Sequence, residues 1–187
     1  MVRVKALVDP PFRTRNPGWD REARGLIEAA SDYYEREFGI RIITQSVSAW
    51  PENDRVPSTP TLLVRIQKQF PVDAADGSYD MIVALTGENV SRLLSDGRPR
   101  VDRIGNCNQG LARYIVLPTR QLFHYTGVDA EPTTDVVALI HELGHVFGAE
   151  HVADFNSIMH EHFDYRTEFD ARNRKIIEDN RSCPFAK

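Results

Sequence analysis

The chain has 187 residues, a formal net charge of −4 and a pI near 5.9. That length suits one domain with a sizeable core, and the acidic balance argues against a nucleic-acid partner, which asks for a basic face. No apolar run approaches the roughly 20 residues that cross a bilayer, and "MVRVKALVDPPFR" lacks the apolar centre and small-residue cleavage site of a signal peptide.

In chain order, Val2, Val4, Ala6 and Val8 alternate with period two and predict a strand that stops at Pro10-Pro11. Ala23, Leu26, Ile27, Ala30, Tyr34 and Phe38 recur at helical spacing, predicting a helix over 20–38 ended by Gly39. "IRIITQSVSAW" reads as a second strand, and 53–60 as a polar, Pro-rich loop. "TLLVRIQKQF" is expected as a short helix. The near-continuous apolar run in "YDMIVALTG" predicts a central buried strand. A long irregular stretch is expected over 88–110, then a strand in "LARYIVLPT". "TTDVVALIHELGHVFG" is a helix capped by Thr133 or Thr134 and terminated by Gly148. A last helix runs over 170–179, with Asp170 as its cap and Ile176 and Ile177 on its apolar side. The order predicts a mixed α/β (α+β layered) architecture. It contains a twisted mixed sheet packed on two main helices and a small C-terminal part with a final helix.

His141 and His145, four residues apart, share one helix face about one turn apart. Two imidazoles so placed can both reach a zinc ion. Glu142 projects about 100° away around the axis, beside the metal but not on it. That suits a base that takes a proton from a metal-activated water. A left-handed Gly148 can end the helix sharply, letting His151 swing back as a third ligand. Three protein nitrogens leave a fourth position open, as in catalytic sites.

The stretch "HELGHVFGAEH", followed by "NSIMHEHF", resembles the metzincin zinc metallopeptidases, whose motif is HExxHxxGxxH plus a methionine turn. The resemblance implies Met159 beneath the zinc, a cleft between an upper part (about 1–148) and a lower part (about 149–187) of one catalytic domain spanning 1–187, and an upper-rim strand that aligns an extended peptide. "LARYIVLPT" is the candidate for that strand. In astacin-like and serralysin-like members a tyrosine follows two residues after the turn methionine; here Glu161 stands there. The extra cysteines of archaemetzincins after the third histidine are absent apart from Cys183. The expected protein is a compact, matrixin-like or archaemetzincin-like, zinc-dependent endopeptidase. It carries one catalytic zinc on His141, His145 and His151, Glu142 as general base and acid, peptide or protein substrates, and a monomeric state. The alternatives are a zinc hydrolase of non-peptide amides and a metal-binding module without catalysis.

Several residues stay open at this level. Cys107 and Cys183 suit either a disulfide or two separate thiols, and Cys107 could instead reach the zinc and hold the enzyme latent. Asp154 suits either a hydrogen bond to a ligating imidazole or a turn. His124, His160 and His162, with Glu161 and Asp164, invite a second metal site; a place along the cleft is expected instead for His160 and His162. The compartment is cytoplasmic if Met1 is the natural start, and secreted or periplasmic if an export signal comes before it.

Overall fold

The structure, a computed structural model, describes residues 1–50, 58–72, 77–87, 97–128, 131–162 and 166–186. Its elements are β1 (Val2–Val8), α1 (Pro10–Arg15), α2 (Trp19–Phe38), β2 (Ile42–Ala49), α3 (Thr59–Gln69), β3 (Met81–Thr86), β4 (Arg100–Val101), β5 (Tyr114–Pro118), α4 (Thr134–Val146) and α5 (Ala171–Asn180). The five strands form one sheet in the order β2-β1-β3-β5-β4. β4 alone runs antiparallel, pairing Arg100 with Val116 and Val101 with Ile115.

All six residues of β3 and all five of β5 are buried. Both are internal strands with packed faces on either side, so apolar residues run on without alternation. One face packs under α2 and α4, with Leu26, Ile27, Tyr34, Leu139 and Phe147 in its core. The other packs under α3, around Trp50, Leu62, Ile66 and Ile82. Each fully buried side chain of this kind stabilises the fold by about 1.5–3 kcal/mol.

Three expectations change. Pro10 and Pro11 end β1 but also begin α1, because a first helical turn has no use for their missing N–H groups. Asp9 caps that turn by accepting from the Phe12 amide at 2.9 Å. The expected loop over 53–60 gives way at Ser58, which caps α3 from Thr59 onward; the part before Ser58 lies outside the described residues. The expected irregular stretch over 88–110 contains β4, too short to show a period; its residues 88–96 also lie outside the described ones. The helices around Trp19, Thr134 and Ala171 match expectation, with Gly39 and Gly148 at φ +67° and +98°.

Candidate metal centre

Helix α4 is buried throughout except at Thr134, and its polar side chains are concentrated near its C-terminal end. Tyr34 of α2 donates from its hydroxyl to the Ile140 carbonyl at 2.9 Å, locking α4 against α2 one residue before His141. Beyond Val146 the chain turns at Gly148. Asn180 donates to the Phe147 carbonyl at 2.9 Å. Asn173, fully buried, brackets Glu150: its Oδ1 accepts the Glu150 amide and its Nδ2 donates to the Glu150 carbonyl, both at 2.9 Å. α5 therefore aims the turn that delivers His151.

The result is a triangle of nitrogens. The Nε2 atoms of His141 and His145 lie 3.1 Å apart, those of His141 and His151 3.1 Å, and those of His145 and His151 3.2 Å. Nδ1 of His141 is 2.6 Å from the Ile158 carbonyl and Nδ1 of His145 is 2.7 Å from the Ala149 carbonyl. A carbonyl only accepts, so each Nδ1 carries the ring hydrogen and each Nε2 presents a lone pair. Burial holds His141 well below its ordinary pKa, and His145 down to about 4; burial also lowers His151. Burial therefore favours the neutral form of all three. Lone pairs facing one another at this distance repel unless a cation lies among them. Two ligands about 2.0–2.1 Å from a tetrahedral zinc lie roughly 3.3–3.4 Å apart, close to the observed spacing. The residues fit a metal ion, and they are the one His/Cys/Asp/Glu group among the described residues placed to hold one.

Glu142 is 4% exposed, and among the described residues none donates a hydrogen bond to its carboxylate. Burial pushes its carboxyl up to about 8, against the opposing charge of Arg100 on β4. Met159 is wholly buried, with its sulfur against Gly144, one residue before His145. The turn around it is tied to α5 through Ser157, whose hydroxyl accepts the Met159 amide at 3.0 Å and meets Asp170 at 2.7 Å.

The model of metallo-peptidase family M12 matches residues 1–187. This chain belongs to that family. No curated protein sequence matches it. Among solved structures it is similar to archaemetzincin from Methanopyrus kandleri, at 19% identity and a TM-score of 0.62, over 96% of this chain and 95% of that one. That likeness shows the fold, and family and fold together indicate a zinc metallopeptidase acting on peptides or proteins.

One expectation for this metallopeptidase changes, and several open alternatives narrow. "LARYIVLPT" is not the rim: β5 lies between β3 and β4, and the sheet's edge beside the site is β4. Cys107 is bonded to Cys183, with Cα atoms 5.0 Å apart, and so is not poised over the histidines. Asp154 forms a turn by accepting the Asn156 amide at 2.9 Å; the imidazoles of His141 and His145 use backbone carbonyls instead. His160 stacks on Phe155 at 4.4 Å and accepts the His162 amide. Neither it, His162 nor His124 joins a second metal cluster among the described residues, and Asp164 lies outside them. Arg98 and Arg100 near the site, and Asn173 behind it, stand outside the motif. Only the last left a signal, an asparagine at an otherwise apolar helix position.

Proposed function

We propose that this protein is a zinc-dependent endopeptidase in which His141, His145 and His151 hold the ion and Glu142 moves the proton. One observation carries the reading: a buried carboxylate with no hydrogen-bonded partner among the described residues sits one residue from a convergent set of imidazole lone pairs. When bound, zinc supplies Lewis acidity that polarises a scissile carbonyl and acidifies water. Glu142 accepts the proton of the attacking water and delivers it to the leaving amine nitrogen. Its burial favours the protonated form midway through that cycle. Arg100 supports the carboxylate before the proton arrives.

An extended peptide adds to β4, the edge of the sheet, because backbone pairing holds a substrate largely regardless of its sequence. The cleft then lies between residues 1–148 and 149–187, with Met159 as the floor of the metal site. The Cys107–Cys183 bond favours work in an oxidising compartment, secreted or periplasmic.

The deciding experiment exposes zinc-loaded protein to a diverse peptide library with and without chelator, and reads products by mass spectrometry. Cleavage at internal bonds, abolished by chelation and reduced about 10²–10⁴-fold in Glu142→Gln at unchanged zinc content, is expected. Equal cleavage by that variant would remove Glu142 from the mechanism. Zinc uptake without cleavage would favour a metal-binding module, or a zinc hydrolase of other amides.

A further inference from the structure

Arg98 lies two residues before β4, and Glu161 two residues after Met159. Their side chains meet beside the metal centre, Arg98 Nη1 and Glu161 Oε2 being 3.6 Å apart. Both charges act electrostatically on His151. The pair thus joins the segment before β4 to the turn after Met159, beside His151.

Its geometry is loose. At 3.6 Å the contact is an ion pair without a proper hydrogen bond, and the side chains are 38% and 55% exposed, so it holds weakly. The backbone under Arg98 is fixed, since the buried Thr59 hydroxyl donates to the Arg98 carbonyl at 2.7 Å. Glu161 has a second neighbour, its Oε1 lying 3.6 Å from His162 Nε2, so it keeps company if it leaves Arg98. A guanidinium offers a planar fork that binds a well-placed carboxylate through two short, charge-assisted hydrogen bonds. Any carboxylate able to approach Arg98 squarely outcompetes Glu161.

We propose that Glu161 stands in for a substrate carboxylate, and that Arg98 selects peptides carrying Asp or Glu beside the scissile bond. Arg100 of β4, whose charge also acts on Glu142, adds to the positive field there. This inference rests on the peptidase reading above and names its substrate class.

The test uses zinc-loaded full-length protein and matched peptides that differ at one position flanking the cleaved bond: acidic, the corresponding amide, or lysine. In the wild type, kcat/KM for the acidic peptide should exceed that for the amide by about 10-fold, as for a hydrogen bond to a charged group. Arg98→Gln should bring that ratio near one. Glu161→Gln, by removing the internal competitor, should raise the ratio about 2–5-fold, mostly through a lower KM. A bland surface salt bridge would give neither change, and certainly not two of opposite sign. Direct binding adds a readout free of turnover: in a Glu142→Gln background, calorimetric affinity for the acidic peptide should fall with Arg98→Gln and rise with Glu161→Gln. Cleavage indifferent to charge would overturn the inference alone, as would a lysine preference lost in Glu161→Gln. Failure to cleave any peptide would sink the peptidase reading, and this inference with it.

Discussion

Gly144 and Met159 touch so closely that a Cβ on residue 144 would lie 2.7 Å from the Met159 sulfur and 3.0 Å from a ring carbon of Phe169. A glycine inside a helix normally costs about 1 kcal/mol relative to alanine, so Gly144→Ala on an open face would stabilise α4. Here it must push Met159 out of a fully packed site, at a cost of about 1–3 kcal/mol. The neighbouring Ile158 carbonyl holds His141, so zinc affinity should drop too. Thermal melts of the metal-free protein and zinc titrations check both; a stabilised variant would refute the packing account.

Zinc binding should be stoichiometric, one ion per chain, and should need all three imidazoles. Zinc at 100 times its dissociation constant should stabilise the wild type by about 2.7 kcal/mol, which is roughly 5–10 °C for a chain of this size. In His145→Ala the shift should largely vanish, with elemental analysis finding little bound metal. A full shift in that variant would mean the ion binds elsewhere.

The Cys107–Cys183 bond closes a sequence separation of 76 residues. Constraining the unfolded chain over such a loop is worth about 4 kcal/mol, with measured losses of about 2–5 kcal/mol. The bond also holds the segment that caps α4. Gly105 donates to the His145 carbonyl at 2.9 Å, and the tail pairs with Leu111 through Pro184 and Ala186. Reduction, or the double change to serine, should lower Tm and weaken zinc binding together. Unchanged zinc affinity in the reduced, still-folded protein would confine the bond to global stability.

Asp170 caps α5, accepting the Asn173 amide at 3.0 Å, and accepts from the Ser157 hydroxyl at 2.7 Å. Although burial acts to raise its pKa, the hydrogen bonds from Asn173 and Ser157 prevail and hold the carboxyl below its usual range. A depressed carboxylate favours the folded state at pH values above its unfolded pKa of about 3.9, and that contribution is lost as pH falls through the lower folded value. Asp170→Ala should therefore cost about 1 kcal/mol at pH 7, and the gap from wild type should shrink below about pH 4. Denaturant melts at both pH values measure it; a gap that widens in acid would reverse the assignment.

The sequence by itself determined what depends on neighbours along the chain. Alternation marked β1, an unbroken apolar run marked β3 as internal, and the spacing of His141, His145 and His151 around Gly148 allowed three imidazoles to converge, because helix geometry converts four residues into one shared face. Only the tertiary structure decided what depends on distant partners. A strand of two residues carries no period, so β4 became visible only once β5 paired with it, and with it the identity of the sheet's edge. Cys107 and Cys183 meet because the tail folds back beside the segment before β5. Glu142 and Arg100, and Arg98 and Glu161, come together from separate elements; charge attraction has no sequence period, and which charges approach was settled by the packing of α4 and the Met159 turn against the sheet.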